Sequence, residues 1–340
     1  MSMRILLYLG YQKIKFDSND TRRVGGSEIG TVHLSEELSR FGWKVVVSGD
    51  VKDSGMIRGV EWIPTEKLHQ KYFDQFDVIV SVSYVHFLKE FEGYNAKKIF
   101  WAHNTHHHPW FRGVEMPDAD QLIQQVDHTI CLTNWHKHQW AKAYDIPLNK
   151  ISVIGNGIEP TTFVGAPSKI KGRFIFSSAH ERGLQELLDN WHKIKHVLPH
   201  ATLEVFSPGY SPLSKEYKFK KYDGVIPRGT VDQLTLHNAM LKAEYWCYVT
   251  DYEETYCITA LEMQYAKVLP IVTKVAALNE TVNSGVILDR NETTWNSVVQ
   301  VLATLGDELK EKSINEAYQW AKQQTWNARS YEWKTLLETL

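Results

Sequence analysis

Tyr248-Val249-Thr250-Asp251-Tyr252-Glu253-Glu254-Thr255-Tyr256-Cys257-Ile258-Thr259-Ala260-Leu261-Glu262-Met263-Gln264-Tyr265-Ala266, followed by Leu269-Pro270-Ile271-Val272-Thr273, reads as a strand, a turn, a helix and a second strand. In this reading Glu254 stands at or just before the helix start, and the amides near Thr255, Tyr256, Cys257 and Ile258 face the turn as unpaired donors. Such a helix end is an anion site, suited to a pyrophosphate. Glu262 lies eight residues further on, roughly 12 Å along the axis at 1.5 Å per residue. Two carboxylates so spaced cannot grip one atom, but they suit opposite ends of a nucleotide sugar. As isolated residues they equally suit helix-dipole and surface roles.

Outward from this segment, short apolar runs alternate with helix-length stretches along the whole chain. In the first half the runs are Ile5 to Leu9, Val45 to Ser48, Val78 to Val82, Ile99 to His103, Thr129 to Thr133 and Ile151 to Ile154. The pattern restarts with Phe174 to Ser177, Leu203 to Phe206, Tyr245 to Thr250, Pro270 to Thr273 and Val286 to Leu288. Alternation of this kind predicts α/β architecture, with two doubly wound parallel sheets facing a cleft. A turn-rich stretch from Gly155 to Ser168 separates the halves. The expected domains are residues 1–160, 161–324 and a C-terminal helix over 325–340. Asn134 is the expected N-cap of a helix to Tyr144; Gly26 or Ser27 opens another that ends near Arg40 and Gly42.

A length of 340 residues suits two such cores. A net charge of −2 supplies no footprint for a phosphate backbone, so no nucleic-acid partner is expected. No run approaches the roughly 18 apolar residues of a membrane span. The N-terminal apolar run reads as a buried strand rather than a signal segment. Cys131, Cys247 and Cys257 sit in apolar segments without a CxxC pair, which predicts reduced core thiols and a cytoplasmic setting.

His103 ends the run Lys98-Ile99-Phe100-Trp101-Ala102-His103, where a polar side chain at a strand's carboxyl end points into an α/β crevice. His106, His107 and His108 follow, with no second ligand group at zinc-like spacing. Asp118-Ala119-Asp120 has a D-x-D pattern but reads as the acidic first turn of a helix. Gly155-Asn156-Gly157 lacks the third glycine of a dinucleotide fingerprint, with Pro160 in its place. No metal and no nicotinamide cofactor are expected. Trp110 and Phe111, in a loop, are candidate stacking platforms for an acceptor sugar.

Several segments together resemble the retaining GT-B glycosyltransferases of family 4. Gly25-Gly26-Ser27-Glu28 resembles the family's Gly-Gly loop, and Val153-Ile154-Gly155-Asn156-Gly157-Ile158-Glu159 its interdomain segment. Phe174 to Leu184 is similar to a strand and loop usually written Gly-Arg…Glu-Lys-Gly. There Arg182 stands for the phosphate-contacting lysine, and Ser177 holds the position of the missing arginine. Arg228 is a second candidate cation. Glu254 and Glu262 match the E-x7-E signature, Pro270 matches the strand after it, and Lys267 stands where the family usually has Gly. Thr325 to Trp333 resembles the last helix, which crosses back to the first domain.

The resemblance implies a two-Rossmann-domain enzyme that transfers a hexose from a nucleotide-diphosphate sugar with retention, without cofactor or metal. It assigns catalytic roles to His103, Glu254 and Arg182. Donor binding falls to Gly25, Gly26, Arg182, Glu254, Thr255, Tyr256, Cys257, Ile258 and Glu262, and the acceptor side to Trp110 and Phe111. GDP-mannose is the leading donor, with UDP-glucose next; the acceptor is a glycan, glycoconjugate or other hydroxyl compound. A homodimer is an allowed assembly. Two alternatives stay open: a catalytically weak sugar-nucleotide-binding protein, for which the absent phosphate arginine argues, and a GT-B-fold epimerase.

Overall fold

The computed structural model describes the chain except residues 1, 11–14, 16–17, 19–24, 53, 108–118 and 212–218, and the side chains of residues 70–72, 119 and 120. It divides into two compact units, Met1–Gly157 with Trp326–Leu340, and Ile158–Thr325. The sequence reading drew these borders after 160 and 324. The observed ones have a physical cause. Ile158 N–H donates to the Gln324 carbonyl at 2.9 Å, and Ile158 and Thr325 form a parallel bridge, so the entering and leaving strands of the second unit are tied together.

Among the described residues the first unit holds β1 (Arg4–Gly10), β2 (Lys44–Gly49), β3 (Gly55–Ile57), β4 (Val60–Pro64), β5 (Val78–Val82), β6 (Lys97–Trp101), β7 (His128–Cys131) and β8 (Ile151–Val153). Their order is β3-β4-β2-β1-β5-β6-β7-β8. The second unit holds β9 (Arg173–Ser177), β10 (Thr202–Phe206), β11 (Val225–Gly229), β12 (Tyr245–Tyr248), β13 (Leu269–Thr273) and β14 (Val286–Leu288), ordered β11-β10-β9-β12-β13-β14. The described helices are α1 (Gly26–Ser39), α2 (Ala119–Gln125), α3 (Asn134–Tyr144), α4 (Leu184–Val197), α5 (Gln233–Lys242), α6 (Ile258–Tyr265), α7 (Leu278–Thr281), α8 (Thr294–Thr304), α9 (Asp307–Ala321) and α10 (Trp326–Thr339).

Strands covered on both faces need side chains that lose nothing by leaving water, and these runs meet that demand. Ile5 to Leu9 and Phe174 to Phe176 are all at most 1% exposed. Both sheets are parallel apart from the β3–β4 pair. That hairpin, absent from the sequence reading, turns at Arg58 and Gly59, both with positive φ, the backbone of a two-residue hairpin loop. Strand β11 was likewise not expected. The N-cap of α3 is Thr133 rather than Asn134, its hydroxyl accepting from His136 N–H.

In each sheet the chain starts in the middle and grows outward in both directions, which leaves a switch point at the carboxyl ends of β1 and β5, and of β9 and β12. Helix α10 packs within the first unit. Trp333 is fully buried, edge-on to Trp101 at 5.0 Å, and Asn327 donates to Glu37 at 2.9 Å. Trp333→Ala should therefore cost about 3–5 kcal/mol. Hydrogen exchange is the check: amides of β1 and β6 speed up while those of β9 and β12 keep their parent rates.

Candidate functional site

The second unit's switch point is flanked by the loop after β9 and the loop after β12. The latter does not run straight into a helix. Cys257 has φ +67, in the left-handed region, and α6 starts only at Ile258. Glu254 thus lies in the loop, four residues ahead of the helix, and the 12 Å spacing along a helix axis expected for Glu254 and Glu262 does not apply. The left-handed residue interrupts the helical path on which that estimate rested.

Glu254 is only 5% exposed. A carboxylate so far from water needs donors, and it has them. Arg182 Nη1 lies 3.1 Å from Oε1 and 3.2 Å from Oε2, and the Tyr248 hydroxyl donates to Oε1 at 2.7 Å. Burial opposes the charge on Arg182, but the Glu254 carboxylate and the hydroxyls of Tyr210, Tyr252 and Tyr248 together outweigh it and hold the guanidinium pKa above its ordinary value. Burial, then Glu254, pushes the Tyr248 hydroxyl and the Cys257 thiol upward. Cys257 is accordingly an inert neutral thiol beside the helix start.

Arg182 also lies over the Tyr252 ring at 4.4 Å. Both of its hydrogen bonds to Glu254 come from Nη1. The guanidinium thus holds Glu254 with one of its three nitrogens. Gly183 follows it with φ +108, and a Cβ there would stand 2.8 Å from the Val249 carbonyl oxygen, so the two loops approach too closely for any other residue. Ser177, which holds the position of the arginine that this chain lacks, has a buried hydroxyl without a partner among the described residues, and its carbonyl accepts from Thr259 at 3.3 Å. Arg228 is bound to Glu204, Nε to Oε1 at 3.0 Å. Glu262, 8% exposed on α6, meets His237 Nε2 at 3.1 Å.

In the first unit, Gly25 and Gly26 stand at the start of α1, with Gly25 as N-cap. The Gly25 N–H is already taken by Glu28, whose carboxylate also accepts from Ser27 at 2.9 Å. An anion at Gly25 must displace that carboxylate. His103 lies two residues past the end of β6 rather than on the strand. It packs on Trp101 at 4.3 Å, and burial, then His136, depresses its pKa to about 3. His136 is likewise pushed down to about 4, mainly by burial. Trp110 and Phe111 lie outside the described residues, as do Asp118 and the side chain of Asp120. Among the described residues, no group of three or more His, Cys, Asp or Glu side chains is placed to hold a metal ion, and no helix is long and apolar enough to cross a membrane.

Residues 58–162 match the model of Glycosyltransferase Family 4. A glycosyltransferase from Rickettsia africae aligns with a TM-score of 0.75 at 15% identity, over 99% of this chain and 98% of that one. Sucrose-phosphate synthase from Thermosynechococcus elongatus aligns at 0.71 and 13%, over 99% and 98%. Anabaena HepE in complex with UDP-glucose aligns at 0.71 and 13%, over 99% and 100%. The fold is GT-B. Comparison with curated proteins gives no match. The match to the family 4 model covers the first unit's later strands and the interdomain segment, not the E-x7-E stretch on which the sequence reading leaned.

Within this GT-B second unit the sequence reading missed Tyr248, Tyr252, His237 and Arg290. Arg290 binds Glu186 at 2.9 and 2.8 Å and Asp251 at 2.7 and 2.7 Å, and Trp295 adds a bond to Glu186 at 2.7 Å. Its signal, an arginine just past the β14 run, was present but had no partner in view. Two tests follow from this geometry. Arg182→Met should destabilise on the order of 2 kcal/mol, below the cost for a fully buried pair because the Arg182 side chain is 25% exposed. The double variant with Glu254→Gln should lose less than the two singles together; strictly additive urea midpoints contradict the pair.

The second test is acid-base. The unfolded chain protonates histidine near pH 6.5, whereas folded His103 and His136 resist until about 3 and 4. Their contribution to stability is whole above pH 6.5 and is lost as pH falls toward the folded values, by up to about 1.4 kcal/mol per pH unit each. Ring resonances of both histidines should stay constant from pH 8 to 5; a midpoint near 6.5 for either contradicts their burial.

Proposed function

We propose that the chain transfers a hexose from a nucleoside-diphosphate sugar to a hydroxyl acceptor, with retention of anomeric configuration and without a bound metal ion. The reading rests on the Glu254 carboxylate, held by Arg182 and Tyr248 at a switch point ahead of the α6 N-terminus. The donor diphosphate meets the Arg182 guanidinium, the Ser177 hydroxyl and the first amides of α6, which have no helical partner. Glu254 accepts from a sugar hydroxyl and Glu262 from the ribose hydroxyls. As the bond from the anomeric carbon to phosphate oxygen breaks, the acceptor oxygen bonds to that carbon from the same face. Its proton passes to the departing phosphate oxygen, whose charge Arg182 and the amides stabilise. His103, neutral through burial, is assigned a hydrogen bond to the transferred sugar.

GDP-mannose leads from the sequence reading, and the HepE complexes with UDP-glucose and UDP support a uridine donor. Calorimetric titration with both sugars and both diphosphates separates the two. A weak sugar-nucleotide binder is the second reading, favoured by Ser177 in place of an arginine; slow donor hydrolysis by the purified protein argues against it. The glutamates give the sharpest test. Glu262→Gln should weaken nucleoside diphosphate and nucleotide sugar alike, whereas Glu254→Gln should lower turnover far more than diphosphate affinity. Each effect should be about ten- to a hundredfold. Near-parent values for both variants contradict the assignment.

A further inference from the structure

Glu262 is expected to take the ribose, yet its Oε1 is already engaged by His237, a residue of α5 that is 2% exposed. The ring is fixed on three sides. Phe163 stacks on its face at 4.0 Å and 8° between planes, and the Thr162 hydroxyl lies 2.8 Å from Nδ1. The proton inventory then settles the direction of the bond to Glu262. An ionised Glu262 carboxylate can only accept, so the ring's Nε2–H donates to it. Nδ1 pairs with the Thr162 hydroxyl, whose oxygen also lies 2.7 Å from the Glu159 carbonyl. Glu262 makes no other side-chain hydrogen bond to a described residue. A carboxylate oxygen so little exposed calls for a donor of its own.

We infer that His237 is a positioning residue for donor recognition. It holds one carboxylate oxygen of Glu262 so that the other faces outward as an acceptor for a ribose hydroxyl. This rests on the ribose reading of Glu262. The consequence is selectivity: a held oxygen discriminates ribose from deoxyribose, whereas a carboxylate free to rotate adapts to water and loses the difference. Nothing else in the sequence around His237 marks it, since its partners come from residues 162, 163 and 262.

The test uses the full chain and calorimetric affinities for UDP, GDP and their 2′-deoxy and 3′-deoxy forms, taking the base that binds. The parent should prefer the ribose form over at least one deoxy form by about tenfold or more. His237→Leu should bring that ratio toward one, His237→Gln, which keeps a side-chain N–H near the Nε2 position, should restore much of it, and Thr162→Val should lower it less. Thr162→Val keeps the test open should the leucine variant fail to fold. Ratios unchanged in the folded variants, with all ligands weakened equally, overturn the positioning role. A parent ratio that survives Glu262→Gln overturns the ribose reading itself and the inference with it.

Discussion

The burial of one carboxylate organises the second unit. Glu254 sits in the loop after β12 with almost no access to water, and its charge is tolerable only because donors from two directions converge on it. Tyr248 comes from the strand below, and Arg182 from the loop after β9. That demand brings the two loops of the switch point into contact, close enough that Gly183 has no room for a side chain. Arg290 repeats the device further out by joining the same β12 loop, through Asp251, to Glu186 of α4.

An ion pair of this kind contributes little net stability compared with well-packed apolar residues, because both charges lose hydration. Its effect is positional. Arg182 is held by one nitrogen and by the Tyr252 face, so its other donors are fixed in direction before any ligand arrives. Preset donors need no reorganisation as charge develops on a leaving group. The absent second arginine makes this placement more important, since a neutral serine hydroxyl stands in its position.

Much of the fold was legible because parallel strands buried on both faces announce themselves as apolar runs, and the eleven such runs all became strands. The three strands that escaped notice are short or lie toward sheet edges: Gly55–Ile57 and Val60–Pro64 form a hairpin, and Val225–Gly229 contains a proline and an arginine. Glu254 and Glu262 stood out through their resemblance to the E-x7-E signature, but their surroundings were not legible. The left-handed Cys257 that separates Glu254 from α6, and the pairing of Arg182 with Glu254 across 72 positions, depend on tertiary contacts that no local pattern encodes. His237 was invisible for the same reason, an ordinary histidine in a helix until α6 and residues 162–163 close around it. Lys267, where the resemblance implies a glycine, adopts φ +57, a left-handed backbone that its side chain disfavours.

The central claim is that the loops around Glu254 form a preset nucleoside-diphosphate site. Hydrogen exchange of the full chain with and without saturating UDP or GDP tests it most directly. The account predicts slowed exchange in peptides spanning residues 177–186 and 250–265 with at least one of the two nucleotides. Binding of either nucleotide with no protection in those peptides would contradict it.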